Sequence, residues 1–349
     1  MPLKSEDSCV PAPGTVLKGG LAAFQTPLPA SAADWEAGKP RLRQILQRRL
    51  GDWPPLFTPQ PTIDSRENRD GYTLECLSFD NGIGDTIYGY ALVPSGCTTP
   101  GPAILYHHYH GDLYRQGKEE VLIRAFETLP FATGEELARK GYFVLCIDAY
   151  CFGQRRFQGP ARPAEEGVAT EAALFKTFLW QGKTLWGMML RDDTLALNYL
   201  ATRPEVDPAR IAAMGMSMGA TRTWWLSALD DRIKVAVSVA CLTRYQNLIA
   251  EGGTQYHGIY YYVPNLLADR LDAESIVGLI APRPHLTLTG DLDPGSPADG
   301  VGIINRFQEQ LYALYAKPDH FRGILYPGVK HAWTRKMWSQ TLDFFHRHL

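Results

Sequence analysis

Two stretches of the chain, 72–79 and 86–93, alternate apolar and polar residues, and Asn81-Gly82 with Gly84 lies between them. Alternation marks strands with one buried face, and the glycine-bearing link predicts a hairpin. Short, nearly continuous apolar runs follow at 103–106, 142–147, 211–214, 235–239 and 285–288. Runs of this kind are expected of strands covered on both faces. Helical periodicity falls between them, around 133–140, 184–203, 219–229 and 301–316. A strand near 323–326 and a helix from about 334 close the chain. Strand alternating with helix predicts an α/β fold: a mostly parallel central sheet, helices on both faces, and the antiparallel hairpin at one edge.

Before the hairpin the pattern is different. Residues 1–30 are rich in Pro, Gly, Ser and Ala without a period, as expected of an arm lying on the surface. Residues 34–50 read as a helix, with Ser31 as its cap, Leu42, Ile45, Leu46 and Leu50 at helical spacing, and Gly51 as its stop. The expected organisation is an arm and helix over 1–65 packing on one large domain over 66–349. That domain carries insertions near 152–186 and 242–270.

In parallel sheets ligands bind beyond the carboxyl ends of the strands, so the residues that directly follow the apolar runs carry the chemistry. After 211–214 comes Gly215-Met216-Ser217-Met218-Gly219, then a helix. A serine on so sharp a strand-to-helix turn has close neighbours two residues before and after, which favours hydrogen as the side chain at both places. The turn would present the Ser217 hydroxyl above the sheet. It would also set the Met218 N–H at a helix N-terminus, where it can stabilise an oxyanion.

On this pentapeptide the chain resembles the α/β-hydrolases, in their dienelactone-hydrolase and acetyl-xylan-esterase-like branch. The resemblance extends to His107-His108-Tyr109-His110-Gly111-Asp112, to Thr289-Gly290-Asp291-Leu292-Asp293 and to Gly328-Val329-Lys330-His331. It covers roughly residues 70–349 and implies an α/β-hydrolase domain with a triad in the chain order Ser, Asp or Glu, His. A serine hydroxyl needs a base to take its proton and a third group to orient that base. His331 follows the last strand and precedes the final helix, where the base is expected. Asp291, Asp293 and Asp299 follow the strand at 285–289. The Gly-x-x-Asp spacing common in the branch selects Asp293, with Asp291 as a loop brace and Asp299 as a helix cap. The second oxyanion donor is expected among the backbone N–H groups of Tyr109, His110 and Gly111.

His107, His108 and His110 also invite a metal reading, but no further ligands follow at a recognisable spacing, so no metal is expected. Aromatic residues after two strands predict the walls of the site: Tyr256, Tyr260, Tyr261 and Tyr262 in one segment, Phe152, Phe157, Phe175, Phe178, Trp180 and Trp186 in the other. Tyr256, Tyr260 and Trp186 are the candidates for substrate contact. Arg155-Arg156 reads as a solvated charge pair.

Composition narrows the function. Hydrophobic residues make up 45% of the 349 and charged residues 21%, which is ordinary globular composition. Thirty-five Lys and Arg stand against 37 Asp and Glu, so no basic excess exists to hold nucleic acid. No apolar run reaches the length of about 20 residues that a membrane span needs. The start MPLKSEDSCV lacks a basic segment followed by an apolar run. Cys9, Cys76, Cys97, Cys146, Cys151 and Cys241 are scattered, as reduced thiols of a cytoplasmic protein would be. The expected function is a serine esterase that needs no cofactor and takes a small ester with a short acyl group, on a carbohydrate or another polar alcohol. A homo-oligomer is compatible with this reading. Two alternatives are a prolyl-oligopeptidase-like peptidase and a non-catalytic binding protein on a hydrolase scaffold. The first normally carries a propeller for which this chain lacks room. The second usually loses a triad member, and none is missing here.

Overall fold

The structure, a computed structural model, describes residues 11–349 apart from 13, 97 and 165. Cys9, Cys97 and the first ten residues of the expected arm lie outside the described residues. The regular elements, in chain order, are α1 (Ala32–Leu50), β1 (Thr62–Arg69), β2 (Tyr72–Asp80), β3 (Thr86–Pro94), β4 (Gly101–His107), α2 (Thr133–Arg139), β5 (Phe143–Ile147), α3 (Val168–Trp180) and α4 (Leu185–Leu200). They continue with β6 (Val206–Met216), α5 (Met218–Leu229), β7 (Val235–Val239), α6 (Tyr245–Ala250), α7 (Ala273–Gly278), β8 (His285–Gly290), α8 (Ala298–Leu314), β9 (Phe321–Tyr326) and α9 (Arg335–His348).

The strands form one nine-stranded sheet in the order β1-β2-β3-β5-β4-β6-β7-β8-β9. β1, β2 and β3 are antiparallel, β3 meets β5 antiparallel, and the pairs from β5 to β9 are parallel. This is the expected α/β architecture, with its antiparallel part at one edge. The chain passes from β4 out to β5 and returns across β4 to β6. The ends of β4 and β6 therefore flank the point where the order reverses, the usual place for a ligand.

Strand alternation divides the core between the two faces of the sheet. Ala103, Leu105, Ile211 and Ala213 face one apolar cluster with side chains of α1, α4, α5 and α7. Ile104, Tyr106, Ala212 and Met214 face the other, with side chains of α2 and α9. β7 shows why the apolar runs are continuous: its five residues, VAVSV, are all buried. Beyond α1, capped as expected by the Ser31 hydroxyl, which accepts from the Asp34 N–H, the arm is held too. Phe24 is buried, its N–H donates to Gln246 Oε1 at 2.8 Å, and its carbonyl accepts from Arg244 Nη2 at 2.7 Å.

Three details differ from expectation. β1 has no counterpart in the hydrophobic pattern. It crosses residue 65, so the chain has no break there. Asp299 does not cap α8; Pro297 stands at that position and Asp299 lies in the first turn. Arg155 is not solvated. It is fully buried, with Nη2 2.8 Å from Asp192 Oδ2 and Nη1 donating to the Asp148 carbonyl. Only Arg156 keeps partial exposure, beside Glu166.

A second buried pair lies under the turn that bears Ser217. Asp193 of α4 accepts from Arg222 Nε at 3.0 Å and Nη2 at 2.5 Å, and both side chains of the pair are out of solvent. Asp193→Ala would leave the Arg222 charge buried and alone. The expected loss of stability is about 3–5 kcal/mol, read as a lower midpoint in guanidinium unfolding. An unchanged midpoint would show that the guanidinium finds water instead.

Candidate active site

Ser217 joins β6 to α5 with φ 57° and ψ −121°, in the sparsely populated positive-φ half of backbone space. The two glycines around it exist because β4 passes beneath. A Cβ on Gly215 would come within 2.3 Å of the His107 carbonyl oxygen, and one on Gly219 within 2.0 Å of the same atom. The turn can thus lie directly on β4 only with hydrogen at both positions. Met218, the first residue of α5, has no intrahelical acceptor for its N–H.

Asp293 and His331 meet across the ends of β8 and β9. His331 Nδ1 lies 2.7 Å from Asp293 Oδ2, and the Asp293 side chain is 1% exposed against 38% for His331. The bond leaves Nε2 of His331 as its free nitrogen. The loops that carry the two residues touch at Gly290, where a Cβ would come within 2.1 Å of the Val329 carbonyl oxygen. Asp291 goes elsewhere: its Oδ1 accepts the Gly328 N–H at 2.7 Å and so braces the loop before His331. Asp293 is itself held. Its Oδ1 accepts the Gly295 N–H at 3.0 Å, and the Gly295 carbonyl accepts from His257 Nε2 and Thr243 Oγ1, each at 2.7 Å. Burial pushes the His257 imidazole below its ordinary pKa, so it serves here as a neutral donor.

Ser217, Asp293 and His331 line one cavity of about 340 Å³. His110, Gly111 and Asp112 form its wall on the β4 side; Gln255, Tyr256, His257, Gly258 and Tyr260 form another. Cys241 contributes to the lining from just beyond β7. Its thiol is pushed up to about 12 by burial and by the nearby Asp293 charge, which leaves it protonated at neutral pH.

The structure narrows the oxyanion candidates. The Tyr109 N–H donates to Glu120 Oε2 at 2.6 Å, so it is occupied, and only His110 and Gly111 remain beside Met218. Glu120 is fully buried, also accepts from the Tyr106 hydroxyl, and is pushed up to about 8 by burial. Of the substrate-contact candidates, Tyr256 and Tyr260 line the cavity and Trp186 does not. Trp186 is fully buried at the start of α4, behind Tyr260 and Tyr261, with ring centroids 5.7 and 5.5 Å away. Trp180 is 92% exposed at the end of α3 and also lies outside the cavity lining.

The three histidines of the β4 end are spent on protein contacts. His107 Nδ1 meets Thr223 Oγ1 at 2.9 Å, and burial takes its pKa down to about 3. His108 accepts the Ala149 N–H on Nε2 and donates to the Tyr109 carbonyl through Nδ1. His110 bonds Glu171. Among the described residues no group of three or more His, Cys, Asp or Glu side chains is placed to hold a metal ion.

The sequence profile of the Dienelactone hydrolase family matches residues 130–343, a span that includes Ser217, Asp293 and His331. The chain belongs to the dienelactone hydrolase family. Within curated proteins it is 39% identical over 277 residues to YtaP of Bacillus subtilis (strain 168), which carries the name of a hydrolase; the match covers 78% of this chain and 87% of YtaP. Solved structures of the same fold include a glucuronoyl esterase from Solibacter usitatus, with a TM-score of 0.68, 16% identity and 99% of each chain covered. Another is acetyl xylan esterase 1 from Thermoanaerobacterium sp. JW/SL YS485, with a TM-score of 0.55, 17% identity, and 93% of this chain and 99% of its own chain covered. At such identities these two structures speak for the fold. The β4 end, with His110 and Gly111, lies outside the span of the family profile.

Sequence reasoning passed over Cys241 and Glu171. Cys241 directly follows an apolar run and was open to the same search that found Ser217. Glu171 had a weaker signal, the single acid of the largely apolar helix VATEAALFKTFLW.

Proposed function

We propose that this member of the family is a serine esterase acting on small esters with short acyl groups. The observation that carries the reading is the opening of Ser217, on its strained turn, and of the bonded pair His331–Asp293 into one cavity. Ser217 Oγ attacks the ester carbonyl while His331 Nε2 takes its proton. Asp293 holds the ring and stabilises the imidazolium. The oxyanion is met by the Met218 N–H and an N–H of His110 or Gly111. His331 then returns the proton to the departing alkoxide, which leaves as the alcohol. Water, activated by the same histidine, releases the acid from the acyl-enzyme. Each role is filled by a side chain or N–H group of the chain itself.

The cavity favours short chains. Its 340 Å³ is near the lower end of the range for small-molecule sites, about 300–1,000 Å³. Asp112, Gln255 and His257 interrupt its apolar surface. An alkyl chain laid over them would strip their water at about 1–3 kcal/mol each, whereas a polar alcohol could bond to them. With acetyl, butyryl, octanoyl and palmitoyl esters of p-nitrophenol, kcat/KM is expected to fall beyond butyryl. A steady rise towards palmitoyl would defeat the assignment of chain length. Hydrolysis of peptides in preference to all four esters would defeat the esterase reading.

A further inference from the structure

Glu171 is out of place by ordinary packing. It lies on α3 with 2% of its surface exposed, and among the described residues no Lys or Arg forms an ion pair with it. A carboxylate buried without a cationic partner is costly, and an apolar residue of similar size would usually serve better. Its hydrogen bonds converge on one oxygen. His110 Nε2 lies 2.9 Å from Oε2 and the Tyr114 hydroxyl donates to the same atom at 3.2 Å. His110 Nδ1 accepts the Asp112 N–H at 3.1 Å, so the ring proton sits on Nε2 and is given to Glu171. The ring is also clamped by stacking on Tyr260, 5.1 Å away at 19°, and by edge contacts with Tyr114 and Phe152.

His110 belongs to the loop whose N–H groups remain for the oxyanion. Glu120 pins that loop at Tyr109 from below, whereas Glu171 pins it at His110 from the covering segment. The tyrosine-bearing segment rests on the same carboxylate: a Cβ on Gly258 would come within 3.0 Å of Glu171 Oε1.

We propose that Glu171 is a positioning residue of the reaction, which fixes the His110 ring and through it the direction of the oxyanion-binding N–H groups. This rests on the serine esterase reading above. Small errors of position at a reacting centre are costly, up to about 100-fold for 1 Å. The role depends on an acceptor at the right reach, not on negative charge.

The test compares E171Q, E171D and E171L with wild type and S217A on p-nitrophenyl acetate, with phenylboronic acid as the probe. The boronate forms a tetrahedral adduct on Ser217 Oγ whose oxygen occupies the oxyanion position. E171L and E171D are expected to lose about 10- to 100-fold in kcat, with KM changed little and boronate affinity reduced by a similar factor. E171Q keeps the acceptor oxygen and is expected to recover most of the loss. E171D preserves charge and tests reach even if E171L fails to fold. Wild-type kcat and boronate affinity in folded E171D would overturn the proposal, as would a loss in E171Q equal to that in E171D. If S217A is inactive in the same series, such a result sinks the positioning role alone. If S217A retains turnover, the esterase mechanism itself falls.

Discussion

Replacing Ser217 by alanine is expected to lower esterase turnover by about 10⁴–10⁶-fold, the range seen when the nucleophile of other triads is removed. Stability should hardly change. The serine side chain makes no cap bond to α5, and the strained backbone at φ 57° is imposed by the turn between β6 and the helix. Alanine inherits that strain and removes only the oxygen. The measurement is kcat on p-nitrophenyl acetate beside a guanidinium unfolding curve. Turnover near wild type in a folded variant would leave the mechanism without its nucleophile.

The second large effect separates two aspartates that lie two residues apart. Asp293→Asn is expected to reduce kcat by about 10⁴-fold, because an amide can donate where the carboxylate accepts and so favours the wrong imidazole tautomer. Asp291→Asn should leave kcat nearly untouched. Its Oδ1 only receives the Gly328 N–H, and an asparagine oxygen can do the same. Steady-state kinetics of the two variants under one set of conditions decides between them. A severe loss in Asp291→Asn with activity kept in Asp293→Asn would reverse the assignment.

The parts of the fold that could be read in advance are those where one physical cause dominates. Strands buried on both faces must be apolar throughout, so β4 to β8 stand out as runs. The Gly-x-Ser-x-Gly peptide stands out because a carbonyl oxygen beneath it forbids side chains. β1 fails the same test. Its sequence TIDSRENR is exposed along most of its length and is a strand because β2 offers it a ladder of partners, a cause that lies outside the segment itself. Trp186 misled for a related reason. Its place after β5 put it on the correct end of the sheet, but the choice between lining a cavity and filling the space behind it is made by Tyr260 and Tyr261, which are remote in sequence. The charge pair Arg155-Arg156 divides in the same way, since only the first meets Asp192.

β1 also bears on how the molecule stays separate from its own copies. It ends the sheet, so among the described residues one row of its backbone groups has no neighbouring strand, and a bare row of that kind invites growth strand by strand. Asp64, Arg66, Glu67 and Arg69 guard it, and the register slips between Ile63 and Ser65. A strand arriving from another molecule would have to strip water from these charges and follow a locally bent edge. The polarity that hid β1 in the sequence is therefore its protection against aggregation.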